Sequence, residues 1–535
     1  LTPDFSPQAG EKSGVNGLTP DFSPQSGKKS GVNGLTPDFN GSTPDFAPES
    51  GEKSGFNGLT PDFSPVSGAK SGVKALVARV GAPGHAATVS EPNRPRTWAR
   101  RLRRAFGVTI LVTVVVVALL RWWAEVTIDR RTAALEQRLS SLRARLAITR
   151  EVIVGPPAPG NAVDCYRELE RRFTDIQRAN PGAFADEVVK RDVPAHLEEG
   201  APETEAMREV VERYGELVAL ACEGVSRERC DWEHPLEQGH RARLPIDIKS
   251  ARLTGLLLYL EARRSMDASE ALRRSAELIA FGRDLLRHPS LILGMMGLAV
   301  QSYGYRAIAL TLEGVVSRSD LVWVLEALDR LGPVDATVSL ESDRIACEVE
   351  LASVVGRAVG EPTLRGDRIV RQPHVPGAIY FAWDWGEYIR YRSWQEEVGA
   401  LPHLERQAAS EVFLRDVERS WGIMTQIAVM HPSEALVHFD TANATHDLVR
   451  VLVATHLHHV DVGKLPRTLS ALTPYLGEEP KDLFRSERAP LSLVVDGDEV
   501  RVYSWYLNGV DDGAACAAWG KAKAADLVVV TRAPK

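Results

Sequence analysis

The sequence predicts a mainly α protein with three parts: a single N-terminal transmembrane helix, a large extracytoplasmic helical bundle or helical-repeat domain, and a small antiparallel three-stranded β tail. Three observations carry that expectation. Residues Ala105–Leu120, AFGVTILVTVVVVALL, hold no charge, and with Trp122 and Trp123 they approach the roughly 20 residues that cross a hydrocarbon core. Between 161 and 462 apolar residues recur at three and four spacing nearly throughout, as in helices with one apolar stripe. Beyond that, two β-rich runs meet at Asp496-Gly497, a strong hairpin signal.

Residues 1–74 repeat the unit LTPDFSPQAGEKSGVNG with a 17-residue period, starting at Leu1 and Leu18, truncated at Leu35, varied from Ser42 and closing from Leu59. Each unit holds too few apolar side chains to offset its ordering entropy, so disorder is expected. Two readings stand: a cytoplasmic array of short recognition motifs, or a reading frame extended across a dispersed DNA repeat, which puts the true start nearer the arginine cluster. Residues 75–104 read as a basic juxtamembrane linker.

Arg94, Arg96, Arg100, Arg101, Arg103 and Arg104 precede the apolar run, whereas Arg121 is followed by Glu125 and Asp129. The excess of arginine predicts an N-terminus in the cytoplasm of a bacterial inner membrane and a periplasmic or extracytoplasmic C-terminal domain. Arg121-Trp122-Trp123-Ala124-Glu125 offers no small-x-small cleavage site, so 105–123 reads as an uncleaved signal anchor. The net charge of -7, with the one dense basic run set against the membrane segment, excludes a nucleic-acid partner.

In 124–154, Ile128, Leu135, Leu139, Leu142 and Leu146 fall on a and d positions of a heptad, predicting a helical stalk. Its seam suits either a second copy, giving a homodimer, or the chain's own domain. Gly155-Pro156-Pro157-Ala158-Pro159-Gly160 reads as a domain boundary. The helical domain follows over 161–462, with helix starts signalled by Asp267, Ser319-Asp320 and Pro432-Ser433-Glu434. Leu291 to Val300 is apolar on every side and too short to span a bilayer, so it reads as a central core helix.

Cys165, Cys222, Cys230, Cys347 and Cys516 all follow the membrane segment, in an oxidising compartment under that orientation. Cys222 and Cys230 are the disulfide candidates; buried reduced thiols are the alternative. His446, His456, His458 and His459 gather on the last long helix. His456 and His459, three apart, share a face on which zinc ligation is conceivable, although histidines are also favoured at a helix C-terminus by the dipole. Trp383, Asp384, Trp385 and Tyr388 lie in an aromatic cluster that reads either as a ligand platform for a glycan or peptide or as core packing at helical spacing. No GxSxG, Walker A, dinucleotide fingerprint or SxxK stands in its required context.

The segments GKLPRTLSALTPYL (463–476), PLSLVVDGDEVRVYSWYLNGVDDG (490–513) and DLVVV (526–530) resemble the C-terminal portion of type II secretion pseudopilin-like proteins. The resemblance implies a short helix headed by Leu-Pro, a small antiparallel sheet and an acidic glycine loop that can hold calcium. Here Asn508, Asp511, Asp512 and Asp526 would supply the oxygens, against a reading as ordinary turn residues. The family's prepilin cleavage motif is absent, and a large helical domain separates span from tail, so the chain is not expected to be a filament subunit. From Ala251 onward the pattern also resembles a broad family of bacterial membrane-anchored helical proteins.

The function expected from these readings is that of a non-catalytic, membrane-anchored envelope interaction or scaffold protein without a cofactor, with the membrane and an envelope protein as partners. The alternatives are a metal-dependent enzyme built on the histidine-rich helix near 446–459 and an accessory component of a type II secretion-like machine.

Overall fold

The computed structural model describes residues 95–146, 150–179, 203–241, 244–359, 363–365, 368–370, 375–422, 425, 432–485, 487, 489–512, 514 and 526–532. The repeats of 1–74, the linker up to 94 and Cys516 lie outside these residues. The protein is mainly helical with a small antiparallel sheet.

Helix α1, Pro95–Leu146, has 52 residues and is about 78 Å long at 1.5 Å per residue. It absorbs the basic run Arg96–Arg104, the apolar run and most of the stalk without a break. Neither glycine nor proline occurs between Val108 and Leu146 to interrupt it. In the apolar half, the Thr109 and Thr113 hydroxyls donate to the carbonyls of Ala105 and Thr109, so no hydroxyl is left bare. This helix is long and apolar enough to cross a membrane, and none of its apolar window is buried by the rest of the chain.

From Ala124 onward one face of α1 is covered. Leu135, Leu139 and Leu142 pack with Leu236 and Ile345, so the chain's own domain, one of the two partners the heptad seam suits, covers this face. A leucine stripe this short gains more from a facing helix already tethered to it than from an association that costs translational freedom.

Strand β1, Ala158–Asn161, lies in the expected boundary and pairs in parallel with β2, Arg227–Arg229. The boundary is therefore inside the fold. Between the strands run α2, Ala162–Ala179, and α3, Glu205–Ser226, whose first turn is capped by the Thr204 side chain accepting from the Met207 N–H. Next come α4, Ile248–Arg264; α5, Ala268–Leu286; α6, Leu291–Thr311; and α7, Arg318–Leu331. Asp247, Asp267 and Ser317 cap α4, α5 and α7 through side-chain acceptors.

The all-apolar start of α6 buries Leu293, Leu298 and Val300 in the core and leaves Ile292 exposed, so it is central on one face only. A Cβ added at Gly282 of α5 would lie 2.6 Å from the Gly297 carbonyl oxygen, and one at Gly304 would lie 2.9 Å from the Ser275 carbonyl oxygen. The two backbones approach more closely than any side chain allows.

Helix α8, Thr337–Val359, is joined through a hairpin of β3, Thr363–Arg365, and β4, Arg368–Val370, to α9, Val375–Gly399. Helix α10 is His403–Glu418. Helix α11, Pro432–Val462, buries Leu448, Val449, Val451, Leu452, Val453, Ala454 and Leu457. Its C-terminal half carries a sheet of order β5-β6-β7, where β5 is Ser492–Asp496, β6 Glu499–Ser504 and β7 Leu527–Arg532. Asp496 pairs with Glu499 across the hairpin, and Gly497 takes φ +64 there. Val500, Val502 and Val529 share one apolar cluster with α7 and α11, so the tail is fused to the helical core.

Candidate functional site at the junction of the long helix

The stalk half of α1, together with α8 and α9, forms a charged network around the buried Glu348. Arg138 of α1 donates from Nη1 to both carboxylate oxygens of Glu348 at 2.7 Å, and from Nη2 to Glu341 at 2.8 Å. Arg392 of α9 donates to the same Glu348. Glu396 then accepts from Arg392 at 3.2 Å and from Arg344 at 3.1 Å, while the Tyr388 hydroxyl donates to the Arg344 carbonyl at 3.2 Å. Nearer the apolar half of α1, Arg131 donates to the carbonyl of Ala382.

Glu348 is buried, and burial pushes its carboxyl up to about 7 against the pull of Arg138. Burial likewise pushes the Cys347 thiol up to about 12. The buried charge is tolerated because two guanidiniums surround it. Ile128, Leu351, Trp385 and Tyr388 form the apolar layer of the same junction.

The aromatic platform does not face solvent. Trp385, Tyr388 and Asp384 are buried, and Asp384 accepts from the Thr425 N–H at 3.2 Å and hydroxyl at 2.7 Å. Positions 384, 385 and 388 share the inward face of α9, which leaves Trp383 alone outside. Platform and core were the two readings of this pattern; for three of the four residues the structure selects the core.

His456 and His459 lie close enough for the charge of one to act on the other, and no third ligand joins them among the described residues. His456 Nε2 hydrogen-bonds the Thr531 hydroxyl of β7 at 3.1 Å, and burial holds its ring down to about 4. It pins α11 to the sheet. His458 Nδ1 meets the Lys464 carbonyl at 3.0 Å, and the buried His446 ring meets the Tyr305 hydroxyl at 3.2 Å. Among the described residues no three His, Cys, Asp or Glu side chains are grouped as a metal site.

In the acidic loop, Asp526 is buried and accepts from the Ala514 N–H at 2.9 Å and the Asp512 N–H at 3.4 Å, while Asp511 accepts from the Tyr503 hydroxyl at 3.2 Å. The Asp526 carboxylate is thus turned to N–H donors that close the loop onto β7. Asp511 and Asp512 are exposed, and the Asn508 side chain lies outside the described residues.

The expected bridge between Cys222 and Cys230 is not formed; both are free thiols. Cys222 Sγ sits 3.2 Å from Glu277 Oε2 and 3.2 Å from Arg274 Nη1. Cys230 is buried beside Asp284. Helix α3 carries Cys222 away from the strand that leads into Cys230, so the two side chains enter different contacts.

A second buried charge went unnoticed in the sequence. Arg150 pairs with Asp284 and donates to the Arg227 carbonyl at 2.7 Å and the Gly224 carbonyl at 2.5 Å. The Tyr166 hydroxyl reaches Asp284 at 2.5 Å, and Trp232 Nε1 donates to its carbonyl at 2.9 Å. A detectable signal exists for both nodes: Asp284 stands between Phe281 and Leu285, and Glu348 between Ile345 and Leu351, acids on otherwise apolar stripes. An acid in that position demands a buried partner.

Comparisons with protein-family models, with curated proteins and with solved structures find no match for the chain.

Proposed function

We propose that the chain is a non-catalytic, single-pass scaffold of a bacterial inner membrane, with its N-terminus cytoplasmic and its helical domain and β tail extracytoplasmic. The observation that carries this reading is the continuity of α1. Its exposed apolar half runs without a break into a half clamped by Arg131, Arg138 and the Leu135, Leu139, Leu142 stripe. A helix held this way fixes the domain's distance and orientation from the bilayer, which a flexible tether does not do. The arginine excess before the span supports the orientation.

The residue types that invite a catalytic reading support structure instead. His456, Asp384 and Asp526 each hold one element to another. Metal analysis of the purified full-length chain tests the scaffold reading: no stoichiometric zinc is expected, and stoichiometric zinc lost on His456→Ala contradicts it.

A further inference from the structure

The register of α9 against α1 brings a set of exposed aromatic side chains to the level at which the span leaves the bilayer. Arg131 is level with Ala382 and Gly386. One and a half turns or more further along α1, Arg138 shares Glu348 with Arg392. Helix α9 therefore runs parallel to α1, with its N-terminus toward the apolar run. The domain also closes on α1 immediately beyond the tryptophans: Trp122 and Trp123 are exposed, and Ala124 is 0% exposed.

Arg131 lies eight residues beyond Trp123, roughly 12 Å along the axis. Ala382 sits at that level or nearer the apolar run, because side chains lean toward the helix N-terminus. The headgroup layer on each side of a hydrocarbon core is about 5–8 Å deep. Tyr380, two residues before Ala382, falls at its outer edge, and its ring leans toward the bilayer because the N-terminus of α9 points there.

The Tyr380 ring is tilted against Trp383, with ring centroids 5.9 Å apart, and its hydroxyl donates to the Trp421 carbonyl at 3.1 Å. Trp383 is 39% exposed and Trp421 is 85% exposed. Arg419, also exposed, stands two residues before Trp421. Two large amphipathic rings at the surface, with an exposed arginine two residues along the chain from one of them, fit a phospholipid headgroup layer, where tryptophan and tyrosine concentrate and arginine meets phosphate.

Resting on the reading of α1 as a span, we propose that Tyr380, Trp383, Trp421 and Arg419 form a second membrane contact, docking the domain face on the headgroups of the same bilayer. The contact, with the α1 clamp, holds the domain at two points and so stops it from pivoting about the helix axis.

The full-length chain in phosphatidylethanolamine/phosphatidylglycerol vesicles tests this with two photoactivatable phospholipids, one carrying its diazirine at the headgroup and one at the acyl-chain end. The headgroup probe is expected to modify the peptides of Tyr380–Trp383 and of Trp421 within about threefold of its yield at Trp122–Trp123. The acyl-end probe is expected to modify Ala105–Leu120 alone. Acyl-end adducts in α1 without headgroup adducts at 380–383 and 421 overturn the docking and leave the span intact; absence of acyl-end adducts in α1 overturns the span and the docking together. A Trp421→Cys chain that forms a disulfide-linked dimer in the vesicles assigns the face to a second copy and also overturns the docking.

Discussion

Arg138 of α1 grips Glu348 of α8 through both carboxylate oxygens, each 2.7 Å from the same nitrogen. Burial pushes the Glu348 carboxyl up to about 7 in the folded protein. The folded state thus holds that proton more tightly than the unfolded chain, and the stability tied to it is present below the unfolded value and lost as pH rises through about 7. Arg138→Ala removes the main opposing cation, so its cost should grow with pH. We expect a loss of about 2 kcal/mol at pH 8 and a smaller one at pH 5, with partial exposure of Arg138 keeping the figure below that of a fully buried pair. Thermal unfolding of the detergent-solubilised full chain at the two pH values measures it; an equal or reversed gap contradicts the assignment.

The buried histidines act in the opposite sense. Burial holds both His446 and His288 down to about 3. Each must charge when the chain unfolds below its ordinary value, so their stability contribution is present above about 6.5 and fades as pH falls toward 3. Each accounts for a slope of up to about 1.4 kcal/mol per pH unit in that window. His446→Gln should flatten the acid limb of the stability curve between pH 6 and 4 relative to the wild type. An unchanged limb would show that His446 is not held neutral.

Thiol chemistry offers a separate check. Burial pushes Cys222 up to about 12 and Cys230 well above its ordinary value, so both should be thiols at pH 8 and poor nucleophiles. Iodoacetamide labelling of these two positions should be at least about tenfold slower in the native chain than in urea. A Cys222–Cys230 linked peptide in a non-reducing digest would refute the free-thiol assignment.

The α5–α6 crossing has no room for a side chain at Gly304, where a Cβ would already meet Ile279 and the Ser275 carbonyl. Gly304→Leu should destabilise by about 3 kcal/mol or abolish folding, as overpacking in a close-packed core does. Chemical denaturation reads the loss, and Gly314→Leu, beyond the crossing, should cost far less.

Local signals made much of this fold legible. The uncharged run, the cap at Asp267 and the Asp496-Gly497 turn each act through neighbours in sequence, and each stands where the pattern put it, whereas α7 is capped by Ser317, two residues before the Ser319-Asp320 start signal. Helix α9 escaped because its aromatic residues fall on both faces, with Trp383 outward and Trp385 inward, which blurs an apolar stripe. Long-range pairings were invisible for a different reason. Nothing near Arg150 names Asp284, and nothing near Arg138 names Glu348; only the acids' position on apolar stripes hints that a cation arrives from elsewhere. The partners of the cysteines and histidines were hidden for the same reason, since proximity along the chain says little about which way two side chains turn.

The central claim, that α1 spans the bilayer with the clamped domain outside, is tested most directly at Met266, which lies in the turn between α4 and α5 and is fully exposed. Met266→Cys, expressed as the full chain in a Gram-negative host, should react with a membrane-impermeant maleimide in intact spheroplasts, above the level of the wild-type chain. Reaction only after the spheroplasts are lysed would place the domain on the cytoplasmic side and contradict the account.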